Sequence, residues 1–138
     1  MATSLTRRVC FRAHHHLWRA DWSAAQNRAA FGALSESHPH EYTCDVSVSG
    51  AVDPVTGMLV DLVALDALLA REVTGALDGR DLNREVAPFA SGRPIPTCEA
   101  LAEHLFARIR AGLPAGVRLA RVRVAEDATL GAECTGLA

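Results

Sequence analysis

The stretch His38-Pro39-His40-Glu41-Tyr42 and the run behind it limit the fold more than any other part of the chain. From Tyr42 onward, Tyr42, Cys44, Val46 and Val48 alternate with Thr43, Asp45, Ser47 and Ser49. Side chains along a strand point to opposite faces, so this pattern predicts a half-buried β-strand over 40–49. His38 and His40 fall on the apolar side of it. Two imidazoles at the mouth of a buried face suit a metal site. The plainer alternative is one core histidine and one surface histidine in a turn around Pro39.

A second alternation runs from Leu5 to Leu17. Val9, Phe11, Ala13, His15 and Leu17 share one face; Arg8, Cys10, Arg12, His14 and His16 share the other. Of the three consecutive histidines, only His15 lies on the apolar face, which makes it the candidate ligand; His14 and His16 are expected to be solvated or at a rim. Residues 18–37 form an excursion with a helix-compatible Ser23–Ala30 segment. It is longer than a hairpin needs, and long connections tend to carry function.

Asp53-Pro54-Val55-Thr56-Gly57 reads as a turn. Asp61 caps a helix whose apolar residues are Leu62, Leu65, Leu68, Leu69 and Val73, fading near Gly75. Residues 76–95 read as loop. Thr97 caps a second helix with Glu99 in its first turn, a buried stripe of Cys98, Leu101, Ala102, Leu105 and Ile109, and an end before Gly112. Val117 to Glu126 is a third strand, with Val122, Val124 and Glu126 on one face. A weak strand is expected at 131–136. The order β-β-α-α-β-β predicts an α+β fold, an antiparallel sheet with two helices on one face. Its open edges invite closure by oligomerisation.

Composition narrows the partners. The 138 residues match one domain over 1–138. A net charge of −2 implies no general attraction to nucleic acid or an anionic membrane, and no apolar run is long enough to span a bilayer. All 14 basic residues are arginine, which removes Schiff-base lysine chemistry. Cys10, Cys44, Cys98 and Cys134 form no C-x-x-C pair, and residues 1–8 lack a signal peptide's apolar stretch. The expectation is a cytoplasmic protein with reduced, mostly buried thiols.

His15, His38 and His40 thus come from two neighbouring strands on a common face. Three protein ligands with an open fourth position is the catalytic zinc pattern. Several motifs surround them in order: Phe11-x-Ala13-x-His15, Phe31-Gly32, His38-x-His40-x-Tyr42, Asp53-Pro54-x-Thr56-Gly57-Met58, Leu77-Asp78-x-x-Asp81-Leu82-Asn83, Pro96-Thr97-x-Glu99 and Glu126. From about Val9 to Glu126 the chain resembles the 6-pyruvoyl-tetrahydropterin synthase / 6-carboxy-tetrahydropterin synthase family. The resemblance implies the tunnelling fold, in which sheets join in a trimer to form an oligomeric barrel and trimers stack into a hexamer. It also implies Zn2+ on His15, His38 and His40, and a small-molecule pterin substrate anchored by Glu126. Thr97, Glu99 and Phe31 join Glu126 as candidate substrate-binding residues; helix capping is an equal reading for Thr97 and Glu99.

The departures are specific. The family's basic cysteine falls at Leu34, its Leu-Asp-His reads Leu77-Asp78-Gly79, and its His-Gly-His-Asn reads His38-Pro39-His40-Glu41. Losing a positioned general base removes roughly 10²–10⁴ in rate. Cys44 is expected too deep in its strand, and Cys98 on the core side of its helix, to substitute. Asp78, Glu36 and Asp81 are the remaining candidate catalytic carboxylates. Three functions follow from this balance: a zinc-dependent lyase acting on dihydroneopterin triphosphate, a diverged zinc enzyme acting on another heterocycle, or a non-catalytic pterin-binding protein.

Overall fold

The computed structural model describes residues 2–136. Strand β1 (Ser4–His15) pairs antiparallel with β2 (His38–Ser49) over its whole length, from Ser4 opposite Ser49 to His15 opposite His38. Strand β4 (Arg118–Ala125) adds antiparallel to the other side of β2, with a register shift between Ser47 and Val48, and β5 (Gly131–Cys134) closes that side. Strand β3 (Arg80–Asp81) lies on the far edge of β1, so the spatial order is β3-β1-β2-β4-β5.

The long helices both pack on one face of this sheet, as the α+β pattern requires. Helix α2 (Leu62–Leu69) starts at Asp61, whose carboxylate accepts from the backbone N–H groups of Val63 and Ala64, and it buries Leu65, Leu68 and Leu69. The chain then widens into a π turn at Ala70–Thr74 before a short helical turn α3 (Gly75–Leu77). Glycine is required there: a Cβ on Gly75 would lie 2.6 Å from the Ala70 carbonyl oxygen. Helix α5 (Cys98–Gly112) is capped by Thr97, whose hydroxyl accepts from the Ala100 N–H. It buries Leu101, Ala102, Leu105, Phe106 and Ile109 against Tyr42, Val46, Val122 and Val124. Each buried leucine- or valine-sized side chain stabilises by about 1.5–3 kcal/mol. Phe11 stacks on Tyr42 across the β1–β2 pair at 4.8 Å. The opposite sheet face is polar: Arg8 grips Asp45 through two bonds of 2.7 and 2.9 Å, and Arg12 reaches Glu41 at 2.7 Å.

Three expectations need correction. Strand β1 stops at His15 instead of continuing to Leu17. The Asn83 side chain takes over pairing there, accepting from the His16 N–H and donating to its carbonyl. Residues 76–95 are not plain loop. They contain α3, the two-residue β3, helix α4 (Leu82–Glu85) and a 3₁₀ turn at Phe89–Ser91. β3 also runs parallel to β1, an exception in an otherwise antiparallel sheet. It docks because Gly79 N–H donates to the Arg12 carbonyl while the Asp78 carboxylate accepts from the Arg12 N–H. Helix α5 runs through Gly112 instead of ending before it.

The excursion between β1 and β2 holds helix α1 (Ala24–Phe31), begun by a Ser23/Gln26 capping box. The fully buried Asn27 fixes it, accepting from the Arg19 N–H and donating to the carbonyls of Arg19 and Ser23. A Leu17 N–H to Leu34 carbonyl bond of 2.9 Å then pins the returning chain beside the end of β1.

Candidate metal and ligand site

Register assembles the centre of the site. His15 lies opposite His38 and Ala13 opposite His40, so three imidazoles meet on the buried face where β1 and β2 end. Their ring centroids are 4.6 to 5.0 Å apart. Glu126 follows β4 on the same face and brings Oε2 to 2.5 Å from His40 Nε2 and 4.0 Å from His15 Nε2. One ligand atom from each of His15, His38, His40 and Glu126 lies within 4.8 Å of the other three.

The hydrogen bonds behind these rings decide what the donors can do. His15 Nδ1 is 2.7 Å from the Pro96 carbonyl oxygen, and His38 Nδ1 is 2.7 Å from the Glu36 carbonyl oxygen. A carbonyl only accepts, so each Nδ1 carries the proton and each Nε2 presents a lone pair. The Nε2 atoms of His15, His38 and His40 are all buried without a hydrogen-bond partner; His40 faces Glu126 but lacks the alignment of one. Buried polar atoms are normally satisfied. Three buried imidazole nitrogens converging beside a carboxylate, two of them fixed as lone-pair donors, fit a divalent cation of borderline softness.

These groups line a cavity of about 410 Å³. Its other walls are Thr97, Cys98 and Glu99 from the start of α5, Asp127 and Leu130 after β4, and Leu17 and Leu34 at the mouth. Thr97 therefore caps its helix and lines the cavity at once, and Glu99 lines it from the first turn. A larger cleft of about 510 Å³, between Arg19, Asp21 and residues 92–95, contains none of the histidines.

Cys98 was expected on the core side of its helix. It is buried but lines the cavity, with Sγ donating to Glu126 Oε1 at 3.6 Å. At the first position of a helix a side chain can reach both the core and the end of the neighbouring strand, which a helical period alone does not reveal. Burial, with the Glu126 carboxylate beside it, pushes the Cys98 thiol up to about 12, so it stays protonated and is a poor base at neutral pH. Asp127 was also missed by the sequence reading. Its carboxylate is held below the usual range by bonds from the Thr129 hydroxyl and N–H and the Leu130 N–H. The Asp-x-Thr spacing of an Asx-type turn is the signal that marks it.

The remaining candidates lie elsewhere within the subunit. Asp78 is bonded to the Arg12 N–H, and Asp81 caps α4 through the Asn83 N–H. Glu36 is exposed at the end of the 3₁₀ turn Gly32–Ser35, two residues before His38, with its side chain outside the cavity. Phe31 stacks on Trp22 at 6.0 Å, within the excursion. Leu34, at the place of the family's cysteine, lines the mouth and is 50% exposed.

An α+β sheet that gathers three imidazoles and a carboxylate at one end defines a class of folds with a site that could hold a metal ion. Within it, the family model for 6-pyruvoyl tetrahydropterin synthase matches residues 4–136. The human 6-pyruvoyl tetrahydrobiopterin synthase is 32% identical over 124 residues, covering 88% of this chain and 83% of that protein. The solved Caenorhabditis elegans 6-pyruvoyl tetrahydropterin synthase superposes with a TM-score of 0.89 at 27% identity, over 99% of this chain and 97% of that one. A Plasmodium vivax 6-pyruvoyltetrahydropterin synthase, solved with a catalytic glutamate replaced by cysteine, shares the fold at a TM-score of 0.69 and 13% identity, over 97% of each chain. The chain belongs to the 6-pyruvoyl tetrahydropterin synthase family. Among the described residues, no helix is long and apolar enough to cross a membrane.

Burial makes the metal-free fold sensitive to acid. It lowers the pKa values of His15, His16 and His104 from the ordinary 6.5. Unfolding exposes these rings and lets them take up protons at that ordinary value. Their neutral-state contribution is therefore complete above about pH 6.5 and is lost as pH falls from there toward the lowered values. Urea midpoints of metal-free protein should drop between about pH 7.5 and pH 5.5. Equal midpoints would show that these rings accept protons in the fold without penalty.

Proposed function

We propose that this protein is a zinc-dependent lyase acting on a reduced pterin, dihydroneopterin triphosphate or a related heterocycle. The observation that carries the reading is the convergence of three buried Nε2 atoms without a hydrogen-bond partner, two of them set as lone-pair donors by backbone carbonyls, on a cavity beside Glu126. His15, His38 and His40 would hold the ion. Bound zinc supplies Lewis acidity, which loosens a carbon-bound proton beside a polarised oxygen. Glu126 accepts from the amidine-like N–H edge of the heterocycle, and Cys98 steadies its other oxygen. Thr97 and Glu99 complete that wall. The experiment is metal analysis of protein purified without chelator. One zinc per subunit is expected, lost in His38→Ala with the circular dichroism spectrum retained; metal-free wild type would sink the site.

Proton removal needs an acceptor, and the usual one is missing. Leu34 has no titratable group, Gly79 provides no relay, and the Cys98 thiol stays protonated. Of the three carboxylates, Glu36 alone is not held by a backbone bond, and its side chain lies outside the cavity of the single subunit. Its own carbonyl orients His38, and in the Plasmodium vivax relative a glutamate is a catalytic residue. Asp78 and Asp81 are engaged in backbone bonds. Slow conversion of dihydroneopterin triphosphate is expected, falling at least about tenfold further in Glu36→Gln. Leu34→Cys together with Gly79→His should gain more than the two single changes combined, because thiol and relay act as a unit. The new histidine meets open space, though at a φ of 74°. Parent turnover equal to the double variant's would show that an effective base is already present.

We also propose a homotrimer or hexamer in the cytoplasm. The sheet ends on the two-residue β3 and the four-residue β5, edges that further copies can extend. A stable monomer at micromolar concentration in sedimentation would contradict this.

A further inference from the structure

We infer that the cleft walled by Arg19, Asp21 and Arg93 is a polyphosphate subsite, which receives the phosphorylated tail of a ligand whose ring lies in the neighbouring cavity. The inference rests on the pterin reading above and adds a place for the triphosphate. Cleft and cavity share two walls. On the first, Leu17 lines the cavity and Arg19 lines the cleft. On the second, Ile95 lines the cleft and Thr97 the cavity, while the carbonyl of Pro96 between them orients His15. Arg19 lies two residues from Leu17, and Arg93 four from Thr97. Those steps span at most about 7 Å and about 14 Å of extended backbone. A tail leaving the cavity between these walls therefore enters the cleft.

The cleft has a volume of about 510 Å³, and its two walls meet closely. A Cβ on Gly92 would lie 2.8 Å from the Ala20 Cβ, so the chain around Gly92 sits directly against the loop of Arg19 and Asp21. Arg19 is braced on two sides. Its guanidinium lies 4.8 Å from the centre of the Trp22 ring, and its Nε and Nη2 grip Asp21 at 2.9 and 2.6 Å. Arg93 is held far less. Its Nη2 lies 3.9 Å from the same Asp21 oxygen, and its side chain is 81% exposed. Two guanidinium groups around one carboxylate leave the cleft positive. Guanidinium donors match phosphate oxygens in geometry as well as charge. A phosphate can thus take over Arg93 at little cost, while the Arg19–Asp21 fork stays intact.

The test is equilibrium binding of 7,8-dihydroneopterin, its triphosphate and inorganic tripolyphosphate to the assembled protein, at about 50 mM and about 300 mM salt. The triphosphate should bind at least about tenfold tighter than dihydroneopterin, with the gap narrowing at high salt. Arg93→Gln should remove most of that gap and leave dihydroneopterin binding unchanged. Asp21→Asn should tighten triphosphate binding about threefold or more, a gain that a merely structural role would not produce. Tripolyphosphate should displace the triphosphate ligand but not dihydroneopterin. Equal affinities for the two pterins, or a gap that neither substitution changes, would overturn the inference and put the phosphates on arginines of another copy or in solvent. Tripolyphosphate binding as tight as that of the whole ligand would also overturn it, by showing an anion site unconnected with the cavity. Failure of dihydroneopterin to bind, with tripolyphosphate binding abolished by Arg93→Gln, would remove the pterin reading and keep the anion subsite.

Discussion

The pairing of β1 with β2 in one register is the constraint on which the rest depends. A strand has a side-chain period of two, so a slip by one residue would move Phe11, Ala13 and His15 to the polar face and Arg12 and His14 to the core. The apolar residues hold this register: Phe11 stacks on Tyr42, and Cys44, Val46 and Val48 lie fully buried beneath the helices. The paired arginines hold it from the other side, since Arg8 meets Asp45 and Arg12 meets Glu41 only in this alignment. The three imidazoles are the end of that same ladder. Their position is set by packing energy far from the site, and they need no favourable interaction with one another.

The fold was legible because its strands alternate and its long helices carry caps. Asp61 and Thr97 mark their helices by side-chain chemistry that acts within three residues, and the structure places both caps there. The face of His15, against His14 and His16, followed from period two alone. What the sequence left hidden is of a different kind. The docking of residues 78–83 along β1 depends on bonds between Asp78 and Arg12 and between Asn83 and His16, more than sixty residues apart in the chain. Neither local propensity nor periodicity encodes such contacts. Cys98 was misplaced for a related reason. It sits where a helix begins against a strand end, and its neighbour Glu126 is brought there by tertiary structure.

The second layer of the site has the same long-range character. His15 is oriented by Pro96, which immediately precedes the helix cap, and His38 by Glu36, at the end of the 3₁₀ turn. Two backbone carbonyls from separate connections thereby choose which nitrogen of each ring carries the proton. Asn27 supports the connection that carries Glu36 by closing the loop at Arg19, and the Leu17 to Leu34 bond ties that connection to the end of β1. A substitution at Asn27 would thus reach the donors without touching them. It would loosen the chain that carries Leu34 and Glu36 and leave buried peptide groups unpaired, at about 1–3 kcal/mol for each.

The departures from the family pattern also share a physical logic. Leu34 puts hydrocarbon at the mouth, Gly79 lies on the β1 edge beside Arg12, and the buried end holds three imidazoles and a carboxylate. Asp78, the survivor of the relay sequence, is spent on the Arg12 N–H and so serves the β1 edge of its own subunit. The polarity that remains is at the inner end and along the α5 wall, where Cys98 donates to one oxygen of Glu126 while the other faces His40. A carboxylate held between a thiol and an imidazole has little freedom to reorient. The polar groups of the site are thus gathered at the buried end, where His15, His38, His40 and Glu126 could hold a metal ion, and along the α5 wall, while leucines line the mouth.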